Sequence, residues 1–126
     1  MTPIHSDLQR FNPVTVIGAG TIGLSWATLF LAHGLTVRLF DPRTDLQEVV
    51  DQHFKSIGST LSLLGLPSSG HEARLTLESS LQQAVTGAAI IQENGPEKLE
   101  LKQQLFAEIE NYIEPHTLLL SSSSTI

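Results

Sequence analysis

Val14-Thr-Val-Ile-Gly-Ala-Gly-Thr-Ile-Gly23, continuing through Leu24 to Asp41, decides the fold. Val14 to Ile17 is a short β-branched run, the composition of a strand buried on both faces of a parallel sheet. Ile22 to His33 is mostly apolar and free of proline, and Gly34 follows it, which predicts a helix with a glycine stop. Leu35 to Phe40 is a second strand, and Asp41 stands at its end, about 20 residues beyond the glycines. Three glycines, Gly18, Gly20 and Gly23, stand as G-x-G-x-x-G between the first strand and the helix. Strand, glycine turn, helix, strand and acid in that order form the fingerprint of a dinucleotide site.

Each part has a physical job. Gly18 permits the tight turn out of the strand, Gly20 lets a pyrophosphate approach the backbone, and Gly23 lets the helix pack hard on the sheet. The first helical turn offers unpaired N–H groups and the positive end of a dipole. Gly18, Ala19, Gly20, Thr21, Ile22 and Gly23 are therefore the candidate cofactor-binding turn. Asp41 is placed to accept hydrogen bonds from the adenosine ribose diol and to repel a 2′-phosphate, which favours NAD over NADP. Arg43 is the counter-argument, because an arginine here can hold a 2′-phosphate.

Outward from that stretch, the 126 residues suffice for one domain with a real core. Apolar residues make up 40% and charged residues 16%, an ordinary globular balance. A net charge of −6 without a basic block argues against nucleic acid or an anionic membrane as partner. There is no cysteine, so disulfides and thiolate metal sites are excluded. No apolar run is long enough to span a bilayer, and Met1–Arg10 is not a signal peptide. Residues 1–12 are expected to be a flexible lead-in and the protein to be cytoplasmic.

Residues 46–64 carry Leu46, Val49, Val50, Phe54, Ile57, Leu61 and Leu64 at helical spacing. A short strand is expected at 74–77, a short helix capped by Ser79 or Ser80, and a buried strand at 88–92. Pro96 starts a long amphipathic helix with Leu99, Leu101, Leu105, Phe106, Ile109 and Ile113 as its apolar positions. Thr117–Leu120 is a last strand. Five alternations of strand and helix predict an α/β fold with a doubly wound, mostly parallel sheet, a Rossmann fold. Ligands in such sheets sit at the carboxyl ends of the strands. The glycine turn, Glu93–Glu97 and Ser121–Thr125 are expected there. A sheet ending directly after strand five leaves an edge uncovered, so residues 13–126 are expected to be an incomplete domain, truncated before a C-terminal helical domain.

Two further segments carry a family likeness. Gln92-Glu-Asn-Gly-Pro-Glu-Lys-Leu-Glu-Leu-Lys102 resembles an E-x-x-x-E-x-x-x-x-K segment, and Leu120-Ser-Ser-Ser-Ser-Thr-Ile126 resembles S-N-T-S-S-L. With the glycine motif and the long helix of residues 46–64, they make the chain similar to the NAD-binding domain of the 3-hydroxyacyl-CoA dehydrogenase family. Ser122 stands where the acyl-CoA enzymes have asparagine. The serine-rich end and the Glu-Asn-Gly-Pro-Glu loop resemble the λ-crystallin, gulonate dehydrogenase and carnitine dehydrogenase branch. The resemblance implies that Glu97 and Lys102 touch the nicotinamide-side ribose and that Ser124 contacts the substrate hydroxyl and the cofactor. It implies a small hydroxy acid or hydroxyacyl-CoA as substrate and a homodimeric parent. It also puts the catalytic histidine, its glutamate partner and the dimer-forming domain outside this chain. The chain alone is expected to bind NAD, to be catalytically inactive, and to self-associate through an uncovered apolar face. The alternative is a non-catalytic NAD-binding or structural module.

The other candidates have plainer readings. His5, His33, His53, His71 and His116 show no metal-ligand spacing and are expected in solvated or capping roles. Glu97 fits the first turn of a helix. Lys102 fits an exposed helix surface, and Trp26 fits packing.

Overall fold

The computed structural model describes residues 9–63, 65, 71–94 and 98–122. Its strands are β1 (Val14–Ile17), β2 (Val37–Phe40), β3 (Leu75–Leu77), β4 (Ile90–Glu93) and β5 (Leu118–Ser121). Its helices are α1 (Thr21–Ala32), α2 (Leu46–Leu63), α3 (Leu81–Val85) and α4 (Leu99–Glu110). The strands form one parallel sheet in the order β3-β2-β1-β4-β5. The chain runs outward from β1 to one side, then crosses to β4 on the other. The switch point therefore lies between β1 and β4, where the expected fold puts the ligand.

Both faces of the sheet carry helices, although Leu118 and Leu120 at the β5 edge stay exposed. Val14, Val16, Val37 and Leu39 pack under α1 and α2, with Leu24, Ala27, Leu31 and Val50 from the helices. Ile17 and Ile91 pack on the other face with Leu81 and Val85 of α3 and Ile109 of α4. Neighbouring strand residues point to opposite faces, so one short apolar run supplies both cores. That is why β1 is buried at all four positions.

Helix α1 stops at Gly34, whose φ of 88° is the left-handed turn a glycine supplies readily. Leu35 N–H donates to Phe30 O at 3.1 Å and Gly34 N–H to Leu31 O at 3.0 Å. This pair of bonds satisfies the last carbonyls of the helix. Of the two expected caps for α3, Ser80 is the one used: its hydroxyl accepts from Gln83 N–H at 3.1 Å.

The structure moves several boundaries. Gln9–Phe11, within the expected lead-in, is a 3₁₀ turn. Strand β4 begins at Ile90 rather than 88, and β5 runs to Ser121. Pro96 lies outside the described residues, and α4 is described from Leu99, with Lys98 as N-cap. The face of α4 also differs from expectation. Leu99 and Leu101 are exposed, at 51% and 48%, while Lys102 is buried in line with Leu105 and Ile109. Lys102, Leu105 and Ile109 are spaced i, i+3, i+7, one stripe of a helix. A lysine occupies an inward position that a purely apolar pattern does not mark.

His53 sits half-buried between α1 and α2, and its Nε2 lies 2.9 Å from Thr28 Oγ1. The Thr28 hydroxyl already donates to Leu24 O at 2.8 Å, so His53 must donate, and its neutral form carries the proton on Nε2. Burial lowers its pKa below the ordinary histidine value. The folded state thus favours neutral His53. This contribution to stability is present in full above about pH 6.5 and is lost as the pH falls through the lowered folded-state value. The urea midpoint is expected to fall more between pH 7.5 and 5.5 for the wild type than for His53→Gln. Equal falls would remove the assignment.

Candidate dinucleotide site

The glycine turn leaves β1 at Gly18, with φ at 97°. Gly18 N–H donates to Phe40 O at 2.9 Å, tying the turn to the end of β2. Asp41 grips the same turn: Oδ2 accepts from Ala19 N–H at 2.8 Å, and Oδ1 accepts from Arg43 N–H at 3.0 Å. Each carboxylate oxygen keeps further acceptor capacity, enough for a ribose diol. Ala19, expected among the cofactor contacts, is 1% exposed, and its N–H is already given to Asp41. Gly20, Thr21 and Ile22 are exposed at the start of α1, and Ile22 is 60% exposed.

The two inner glycines differ in what surrounds them. A Cβ built on Gly20 meets nothing within 4 Å, so the space beside it is open to a ligand. A Cβ on Gly23 falls 1.8 Å from Gly18 O and 3.3 Å from Asn94 Nδ2, so Gly23 is a packing residue. No side chain caps the N-terminus of α1 and no acid lies in its first turn. Beside its N-cap, Gly20, lies a cleft of about 550 Å³ bounded by Gly18, Gly20, Asp41 and Pro42 on one side and by Leu101 and Leu105 of α4 on the other. An anion-ready helix end, an open Cβ direction, a carboxylate for ribose and an apolar wall fit a dinucleotide. Arg43 is turned elsewhere: its Nε and Nη2 donate to the two Asp45 oxygens at 2.6 and 3.1 Å. The hydrogen bond from Arg43 is the main reason the Asp45 carboxyl is held below its usual value.

At the end of β4, Glu93 and Lys102 form an ion pair at 0% and 1% exposure, with Nζ 3.3 Å from each carboxylate oxygen. Ser121 Oγ donates to Glu93 Oε2 at 2.7 Å. Lys102 therefore does not present its ammonium to the cleft, as expected of a ribose contact. Its place on the inward stripe of α4 delivers it to Glu93 instead. Glu97 and Ser124, the other two residues singled out from the two family-like segments, lie outside the described residues.

Sequence reasoning places Glu93–Glu97 at the carboxyl ends of the strands but gives Glu93, Asn94 and Gln92 no role of their own. Asn94 Nδ2 donates to Ile17 O at 3.2 Å, and Gln92 and Asn94 both bond Ser122. Their only sequence signal is position, at the carboxyl end of a strand beside the switch point. Among the described residues, no group of His, Cys, Asp and Glu can hold a metal, and no helix is long and apolar enough to cross a membrane.

Residues 13–126 match the family described as 3-hydroxyacyl-CoA dehydrogenase, NAD binding domain. An L-carnitine dehydrogenase of Streptomyces coelicolor is 38% identical over 116 residues, covering 92% of this chain and 36% of that protein. A lambda-crystallin homolog of Rattus norvegicus is 41% identical over 120 residues, covering 90% and 37%. The crystal structure of 3-hydroxybutyryl-CoA dehydrogenase from Escherichia coli K12 superposes with a TM-score of 0.80 at 30% identity, over 92% of this chain and 25% of that one. The chain thus spans little more than a third of the length of these two curated relatives.

Proposed function

The chain belongs to the 3-hydroxyacyl-CoA dehydrogenase family as an NAD-binding domain, and on that premise we propose that the whole protein carrying it is an NAD-dependent dehydrogenase. Its substrate is a small molecule with a secondary alcohol β to a carboxyl or thioester carbonyl. The observation that carries the reading is the cleft in which Asp41, the open Gly20 backbone and the uncapped start of α1 converge. Bound NAD supplies the hydride acceptor. Gly20, Thr21 and Ile22 hold the pyrophosphate, Asp41 holds the adenosine ribose, Glu97 holds the nicotinamide-side ribose, and Ser124 contacts the reacting oxygen. Glu97 and Ser124 have these roles from their positions in the two family-like segments.

The group that takes the hydroxyl proton is assigned to a part of the protein outside this chain. Among the described histidines, His116 precedes β5 at the far end of the sheet, exposed and 3.4 Å from Glu114. His33 ends α1, and His53 faces Thr28. Loss of a general base costs ~10²–10⁴ in rate, so this chain alone turns over nothing measurable. The exposed Ile22, Leu29, Leu118 and Leu120 support self-association of the isolated chain, and the homodimeric parent rests on the family likeness.

Two measurements test the reading. NADH should bind this chain at least tenfold more tightly than NADPH, about 1.4 kcal/mol, because Asp41 repels a 2′-phosphate and Arg43 is held by Asp45. Equal affinities would hand the ribose site to Arg43. The full-length protein should form NADH with L-3-hydroxybutyryl-CoA, L-gulonate or carnitine, while the chain alone forms none. Binding without turnover by the full-length protein would favour the non-catalytic module. Turnover by the chain at the parent's rate would return the missing base to these residues.

Gly20→Val should separate binding from folding. Gly20 adopts an extended backbone, φ −75° and ψ −174°, which valine tolerates, and its Cβ direction is empty. The variant is expected to keep the wild-type unfolding free energy in urea titrations within about 1 kcal/mol and to lose more than tenfold in NADH affinity. Normal binding would put the phosphates elsewhere.

A further inference from the structure

The carboxyl end of β5 is held from both faces of the sheet. Ser121 points to the α4 face and donates to buried Glu93, itself paired with Lys102. Ser122 points to the α1 face, where its hydroxyl accepts from Trp26 Nε1–H at 3.1 Å and Gln92 Nε2 at 2.7 Å and donates to Asn94 Oδ1 at 2.7 Å. A hydroxyl has one proton and two lone pairs, so these three partners saturate it. The indole N–H can only donate, which fixes the direction of the network. Trp26 is itself oriented by stacking on Phe30, with ring centroids 5.7 Å apart. The backbone is fixed at the same point, because Ser122 N–H donates to Glu93 O at 2.9 Å.

The network reaches the dinucleotide turn. Asn94 anchors to Ile17 O, the last carbonyl of β1, and its amide lies where any side chain on Gly23 would reach. Trp26 stands on α1 itself, beside Thr21, Ile22 and Ser25 of the first turns. One hydrogen-bonded patch therefore joins the nucleotide-binding helix to the point where the chain leaves β5, two residues before Ser124. A saturated Ser122 has no capacity left for a substrate or cofactor.

We infer that Trp26 is a positioning residue for the reaction: its indole N–H, acting through Ser122, holds the carboxyl end of β5 in register with the nucleotide-binding helix. This rests on the dehydrogenase reading above, in which Ser124 meets the reacting oxygen. Trp26→Phe keeps a ring and deletes the N–H, Ser122→Ala deletes the acceptor, and Ser122→Thr keeps the hydroxyl on an exposed position.

In the full-length protein, Trp26→Phe and Ser122→Ala should each lower kcat at least fivefold and leave KM for NAD within twofold. Ser122→Thr should restore kcat to within twofold of wild type. The Trp26→Phe/Ser122→Ala double variant should be no slower than the slower single variant, within twofold, because both break the same bond. Unchanged kcat in the single variants, or losses that multiply in the double, would overturn the inference. If the wild-type full-length protein turns over no hydroxy acid, the dehydrogenase reading fails instead. The positioning role is then decided on the 126-residue chain saturated with NAD. There the Ser122 amide should exchange with solvent at least tenfold faster in Trp26→Phe and Ser122→Ala, with NAD affinity by calorimetry unchanged. Equal exchange rates would overturn it.

Discussion

Gly23→Ala is expected to destabilise the chain by about 3 kcal/mol or more and to abolish nucleotide binding with it. The smallest possible side chain would place a carbon 1.8 Å from Gly18 O, about half of an ordinary contact distance. Neither partner can retreat cheaply. Gly18 is held by its N–H bond to Phe40 O, and moving it drags β1 against β2. Moving α1 instead lifts Leu24, Ala27 and Leu31 off the sheet, three side chains that are 5% exposed or less. Overpacking against backbone lies at the severe end of such substitutions, because no rotamer change relieves it. Urea unfolding followed by circular dichroism measures the loss. An unfolding free energy within about 1 kcal/mol of wild type would mean that the helix can stand farther from the sheet than this structure allows.

The contrast between Gly20 and Gly23 marks how far the sequence can be read. The G-x-G-x-x-G spacing, the β-branched run before it and Asp41 after it locate the turn, the helix and the acid, and the sheet order agrees with them. These features are legible because they are local: a periodicity, a stop residue, a fixed separation. What local pattern hides is pairing across the sheet. Trp26 and Ser122 are 96 positions apart, and nothing at either position announces the other. Asp41 is legible as an acid at a strand end, but its grip on Ala19 N–H depends on how tightly the turn closes. The face of α4 departs from its apolar pattern for a related reason. A hydrophobic pattern assigns Leu99 and Leu101 to the interior and leaves Lys102 outside, whereas a carboxylate at the end of β4 reverses the preference at that one position.

Lys102→Met is expected to cost about 3–5 kcal/mol of stability at pH 7, a loss comparable to or larger than that from Gly23→Ala. The lysine is 1% exposed and the carboxylate it faces is 0% exposed. Methionine fills nearly the same volume, so the loss does not come from a cavity. It comes from leaving the Glu93 charge in the interior without its cation, with Ser121 Oγ as a hydrogen-bond donor that brings no compensating positive charge. The same argument predicts that removing both charges is mild. In Glu93→Leu/Lys102→Met the desolvation cost of two ions disappears together with their attraction, and half-exposed Ser121 can turn its hydroxyl to water. The double variant should recover most of the stability lost by Lys102→Met, read as a urea midpoint returning toward wild type at an unchanged slope. A further consequence separates stability from function. Lys102 is 1% exposed and its ammonium is given to Glu93, so the stable double variant should still bind NADH within about fivefold of wild type, about 1 kcal/mol. A Lys102→Met variant as stable as wild type would mean that water reaches the pair. A stable double variant that binds no NADH would make the ammonium a direct cofactor contact after all.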